Sequence, residues 1–167
     1  MVPYVNTAEE AKQAVAAMRY PPLGVGGVAR QHRAAGFGQK FESYFAEANN
    51  KLLTIVQIES GEAVEHVEEI AAVEGVDVLF IGPLDLSVNL GIPGQMDHAD
   101  FRAAVKRVIS ACKEAGKAAG ILIGSAAQVA PTVAEGFTFI AVGSDGALVA
   151  AGMKMLVDSF VPCRSRE

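Results

Sequence analysis

The chain has 167 residues, 51% of them hydrophobic and 20% charged, a balance that suits one globular domain with a real core. Its 14 basic and 19 acidic residues leave a net charge of −5, and the one local basic cluster is Arg30, His32 and Arg33, which argues against a nucleic-acid partner. Mean hydropathy is +0.29, yet no apolar run reaches the roughly 18 residues that a membrane helix needs.

The first residues, Met1-Val2-Pro3-Tyr4-Val5-Asn6, carry neither a basic leader nor a cleavable apolar region, so no signal peptide is expected. An apolar run at 2–5 predicts a strand, and Thr7-Ala8-Glu9-Glu10 then predicts a helix start, with Glu10 placed to complete a capping box. The Pro- and Gly-rich stretch from Arg19 to Gly27 predicts an irregular loop. A second strand is expected over 52–58. Ser60 follows as the cap of one helix whose stripe is Ala63, Val64, Val67, Ile70 and Ala71. Strands over 76–81, 118–123 and 138–142 alternate with helices over about 99–115, closed by Gly116, about 125–135, which Pro131 must kink or split, and about 147–160. Residues 161–167 are expected to be a polar tail.

These strand runs are apolar at nearly every position, which predicts a parallel sheet buried on both faces. Strict β/α alternation makes the fold class α/β. A closed (β/α)₈ barrel takes eight units and about 250 residues, so five units over residues 1–160 predict a truncated TIM-type barrel. An open doubly wound sheet could also use five strands, although no Gly-rich phosphate loop follows any of them. Cys112 and Cys163 have no metal-ligand spacing. Cys112 falls on the apolar face of a predicted helix and Cys163 in the tail, which points to a reducing, cytoplasmic setting.

Chemistry in such folds sits at the carboxyl ends of the strands. Two acids stand there: Glu59, in Gln57-Ile58-Glu59-Ser60, and Asp85, in Gly82-Pro83-Leu84-Asp85. Neighbouring strands lie about 5 Å apart, so the two carboxylates can converge on one point. Without His or Cys beside them they suit a hard divalent cation with positions open to water and a chelating 2-oxo acid. Such a cation would stabilise an enolate as it develops. Either acid alone could equally be a helix cap, Glu59 for a helix near Gly61 and Asp85 for a turn over 86–90.

The same residues resemble the HpcH/HpaI aldolase family. The likeness rests on Gln57-Ile58-Glu59-Ser60, Gly75-Val76-Asp77 and Phe80-Ile81-Gly82-Pro83-Leu84-Asp85-Leu86-Ser87. Arg19-Tyr20-Pro21-Pro22, His32-Arg33-Ala34, Gly120-Ile121-Leu122 and Phe139-Ile140-Ala141-Val142-Gly143-Ser144-Asp145 add to it. The resemblance implies the carboxyl-terminal part of a (β/α)₈ barrel, in a homo-oligomer that is usually a hexamer with its last helix exchanged. It also implies a class II aldolase, a carbon–carbon lyase cleaving 4-hydroxy-2-oxo acids to pyruvate and an aldehyde. Glu59 and Asp85 would ligate Mg²⁺, Mn²⁺ or Co²⁺. Gln57 would approach the substrate, and the backbone N–H groups of Leu84 and Asp85 would hold its carboxylate.

Two departures accompany the likeness. Leu84 stands where many relatives have Ser or Ala. The family's general-base His, the acid that tunes it and an Arg come from three units not found here, and His32, His66 and His98 read as surface or capping residues. Weak or absent aldol activity is therefore expected. The alternatives are a non-catalytic fragment or assembly partner that keeps the metal site, and a citrate-lyase-like or phosphoenolpyruvate-linked lyase.

Overall fold

The computed structural model describes residues 1–164, with side chains through 160. Four strands, β1 (Ile55–Ile58), β2 (Val78–Ile81), β3 (Ala118–Ile123) and β4 (Phe139–Val142), lie side by side in chain order. Every pairing is parallel. A doubly wound sheet reverses its strand order at a switch point. This one does not reverse, so successive crossovers of one hand set the helices on one face, as in an arc of a barrel wall.

The expected fifth strand at 2–5 forms only a single parallel bridge, Val2 to Val56. Pro3 has no N–H to give a ladder, and Tyr4 turns out of extended geometry at φ 51°. The segment is still tied to β1: Val2 N–H donates to the Ile55 carbonyl, Gln57 N–H to Val2 and Val5 N–H to Gln57.

Helix α1 (Ala8–Met18) carries the expected capping box between Thr7 and Glu10. A helix that was not expected, α2 (Phe41–Lys51), follows a 3₁₀ turn at Arg33–Ala35 and ends at Leu52, which caps it instead of opening a strand. The single helix expected after Ser60 is two, α3 (Gly61–Glu65) and α4 (Val67–Ala71), broken at His66. The 86–90 turn is part of a full helix, α5 (Pro83–Asn89). Helix α6 (Ala99–Ala115) ends at a left-handed Gly116 as its sequence requires.

The expected helix around Pro131 is split into a 3₁₀ turn (Ala126–Gln128) and α7 (Val129–Glu135). The division falls before Pro131, which leaves the proline in the first turn of α7, where a missing N–H costs little. Helix α8 (Asp145–Arg164) is longer than its apolar pattern suggested and runs into the expected tail. Residues 165–167 and the side chain of Cys163 lie outside the described part.

Helix α6 packs on β2 and β3 and against α4, and this outer layer holds the core, with Ile58, Leu79, Ile81, Val67, Ile70 and Val108 all fully buried. Cys112 belongs to it, and burial pushes its thiol pKa up to about 11, so it stays protonated and inert. β2 is buried throughout as expected, and β3 is buried on both faces over Ala119–Ile121 but exposes Leu122. β1 alternates buried and half-buried, and β4 is half-buried or exposed throughout. The inner face therefore carries its own row of residues, Gln57, Phe80, Gly120 and Phe139, which are partners in register across all four strands. Among the described residues no helix is long and apolar enough to cross a membrane.

Candidate functional site

Register decides the site. Ile58 pairs with Ile81, so the next residues, Glu59 and Gly82, leave adjacent strand ends side by side. Glu59 is only 4% exposed, and its side chain leans over Gly82, where an added Cβ would lie 2.7 Å from the Glu59 Cγ and 2.9 Å from its Cδ. Asp85 stands three residues further on, exposed in the first turn of α5. The two expected ligands thus share the carboxyl ends of neighbouring strands.

Glu59 is held by two donors. The Gln57 Nε2 donates to Oε1 at 2.8 Å, and the Tyr4 N–H donates to Oε2 at 3.2 Å. The Tyr4 hydroxyl in turn donates to Asp85 Oδ1 at 3.2 Å. One residue, 55 positions before Glu59 and 81 before Asp85, therefore touches both acids.

Electrostatics bear on the same point. Burial raises the Glu59 pKa, the Tyr4 N–H opposes that rise, and the Asp85 charge adds to it. The Tyr4 phenol is raised first by the Asp85 charge, then by desolvation, its hydrogen bond to Asp85 and the Glu59 charge. A buried carboxylate beside a second one is relieved by a cation between them. Among the described residues no group of three or more His, Cys, Asp or Glu side chains is arranged to hold an ion. The donor set offered is this oxygen pair, which fits a hard dication that keeps water in its shell.

Leu84 is 62% exposed and lines an apolar cleft of about 330 Å³ with Pro83, Met96, Leu122 and Ala147. Gly82 brings no capping side chain to α5, so the N–H groups of Leu84 and Asp85 lie in an uncapped first turn.

Two of the three histidines, His32 and His98, serve the backbone as caps, as expected. The His32 Nδ1 accepts from the Ala35 N–H, with the ring edge-on to Tyr44, and the His98 Nδ1 accepts from the Asp100 N–H to cap α6. His66 departs from that expectation: it is half-buried in the break between α3 and α4, its side chain caps neither helix, and its buried Nδ1 has no hydrogen-bond partner among the described residues. The Arg19-Tyr20 stretch is structural too: Tyr20 exchanges two backbone hydrogen bonds with the Asn49 side chain, and Arg19 donates to the Gly75 carbonyl.

Reading from the sequence missed Tyr4 and Gly82. Gly82 had a signal, a glycine directly between a strand and a proline-led helix. Tyr4 had only its place past an apolar run, because its partners are remote in the chain.

This sheet-and-helix arrangement recurs elsewhere. The family model for HpcH/HpaI aldolase/citrate lyase matches residues 1–151. The chain belongs to that family. A family member of solved structure from Burkholderia cenocepacia J2315 superposes with a TM-score of 0.83 at 38% identity, over 94% of this chain and 62% of that one. An HpcH/HpaI aldolase from Desulfitobacterium hafniense DCB-2 gives 0.80 at 29% identity, over 95% and 61%. Among curated relatives, the 5-keto-4-deoxy-D-glucarate aldolase of Shigella dysenteriae serotype 1 (strain Sd197) is 43% identical over 160 residues. That match spans 96% of this chain and 62% of the relative, so the chain covers about three fifths of that relative's length. Structural neighbours in the family share the barrel architecture, of which this sheet is a part.

Proposed function

We propose that the chain provides the cation-holding segment of a class II aldolase that cleaves 4-hydroxy-2-oxo acids to pyruvate and an aldehyde. One observation carries the reading: a buried Glu59 and an exposed Asp85 share the ends of adjacent strands, linked through Tyr4. The substrate class follows from the resemblance and agrees with relatives named for 5-keto-4-deoxy-D-glucarate.

In this reading Glu59 and Asp85 ligate Mg²⁺, Mn²⁺ or Co²⁺, and the bound ion supplies Lewis-acid polarisation of the 2-oxo group. Gln57 keeps Glu59 oriented from the inner face and borders the substrate. The first-turn N–H groups of Leu84 and Asp85 receive the substrate carboxylate, and the apolar cleft beside Leu84 borders the aldehyde side. Among the described residues no histidine hydrogen-bonds to the acid pair, and aldol turnover requires a proton acceptor, so it is weak in this chain alone. Decarboxylation of oxaloacetate relies more on Lewis-acid help.

Titration with Mn²⁺ tests the core of this. Glu59→Ala and Asp85→Ala are each expected to weaken binding at least 10-fold and to abolish metal-dependent oxaloacetate decarboxylation above the rate of free Mn²⁺. Unchanged affinity in both variants rules the reading out.

Self-association belongs to the same proposal. Leu148, Met155, Leu156 and Phe160 are all more than half exposed on α8. A helix apolar on all sides is stable when other surfaces cover it. Sedimentation is expected to give an assembly of several copies, and Leu148→Asp with Leu156→Asp to shift it towards 17.4 kDa monomers. A monomeric wild type would exclude this part and leave the metal reading standing.

A further inference from the structure

Tyr4 is an anomaly until its contacts are followed. Its backbone sits at φ 51°, a region that bulky residues avoid, and 52% of its surface is exposed. Strain of this kind persists where surrounding contacts impose it, and it gathers at functional sites. Here the segment is pinned on both sides of Tyr4. Val2 and Val5 bond to β1, and the Ser60 hydroxyl donates to the Asn6 side chain. The turn between those anchors points the Tyr4 N–H at Glu59 and carries its phenol to Asp85.

We propose that Tyr4 is a positioning residue for the cation site, setting both carboxylates before an ion arrives. This rests on the metal reading above. Glu59 is already fixed by burial and by Gln57, so its Tyr4 contact is a second restraint. Asp85 is different. It is exposed, and among the described residues its only side-chain hydrogen bond to another side chain is the Tyr4 hydroxyl. A free carboxylate must give up rotamer freedom when it binds an ion. The phenol removes that requirement in advance. It occupies Oδ1 as a donor and leaves Oδ2, with the remaining lone pair of Oδ1, for the cation. Groups that orient a metal ligand in this way typically account for 10–100-fold in affinity. The longer 3.2 Å bond here puts the expectation at the lower end.

The test is Mn²⁺ titration of the full chain, with free Mn²⁺ followed by electron paramagnetic resonance, on wild type, Tyr4→Phe and Tyr4→Ala. Phenylalanine keeps the ring and the backbone N–H and removes only the hydroxyl. It is expected to weaken Mn²⁺ binding about 10-fold, with alanine losing no less and the unfolding midpoint of Tyr4→Phe unchanged. A merely structural tyrosine would move the midpoint and leave affinity alone. Affinity of Tyr4→Phe within twofold of wild type overturns the proposal, whatever alanine does. Glu59→Gln and Asp85→Asn, run beside them, separate the two failures. If wild type binds no Mn²⁺, or binds it equally well in those variants, the metal reading falls and takes this inference with it. If those variants lose binding and Tyr4→Phe does not, only the role of Tyr4 falls.

Discussion

Replacing Gly82 with alanine is expected to lower Mn²⁺ affinity on the order of 100-fold while the protein remains folded. The backbone at Gly82, φ −89° and ψ 97°, is open to any residue, so the substitution carries no conformational penalty of its own. The obstacle is Glu59. A methyl group at Gly82 would come within 2.7 Å of the Glu59 Cγ, and closer still to Oε1, so the carboxylate must leave its place. Moving it breaks the bonds from Gln57 and Tyr4 and exposes a group that is now buried. Each lost hydrogen bond to a charged group costs about 1.5–3 kcal/mol at most, and a carboxylate that swings into water recovers part of it. Stability should therefore fall modestly, while ion geometry, which tolerates only tenths of an ångström, is lost. Mn²⁺ titration and thermal unfolding on the same samples check both halves. Affinity within threefold of wild type would show that Glu59 does not reach the ion from its position over Gly82.

What could be read in the chain beforehand was whatever depended on local spacing. Helix α6 was legible because Phe101, Ala104, Val105, Val108 and Cys112 recur at helical intervals and Gly116 ends them. Glu59 and Asp85 were legible because they follow apolar runs by one and four residues, which puts them at strand ends whatever the rest does. The failures share a cause. The stripe of α3 and α4 keeps its interval across His66, so periodicity could not reveal a break that the backbone makes there. Helix α2 has Phe41, Tyr44, Phe45 and Ala48 at helical spacing, but no side chain caps its start at Lys40, and the polar residues between masked the pattern. Tyr4 was hidden because its meaning lies in contacts across 55 and 81 residues, which no window along the chain contains.

Gly120→Ala is expected to destabilise the fold by about 2–3 kcal/mol, the upper part of the overpacking range. In a protein of this size that lowers the unfolding midpoint by roughly 5–10 °C. The sign is the informative part. Glycine within a strand is ordinarily a weakness, and alanine there stabilises by about 0.5–1 kcal/mol. At position 120 the gain is overridden, because the space belongs to its neighbours. Phe80 and Phe139, from the flanking strands, meet edge to face above Gly120 with ring centroids 6.2 Å apart. An added Cβ would come within 2.6 Å of the Phe80 ring and 3.0 Å of Val78. Phe80 is 5% exposed and pairs in register with Gln57, so a ring pushed aside moves the layer directly beneath Glu59. Gly120→Ala should consequently weaken Mn²⁺ binding as well, by less than Gly82→Ala does, because its effect reaches Glu59 through two intervening side chains. Thermal unfolding by circular dichroism decides the first point. A midpoint equal to or above that of wild type would mean that the inner row yields freely, and that the order of Gln57, Phe80, Gly120 and Phe139 places no constraint on the acids above it.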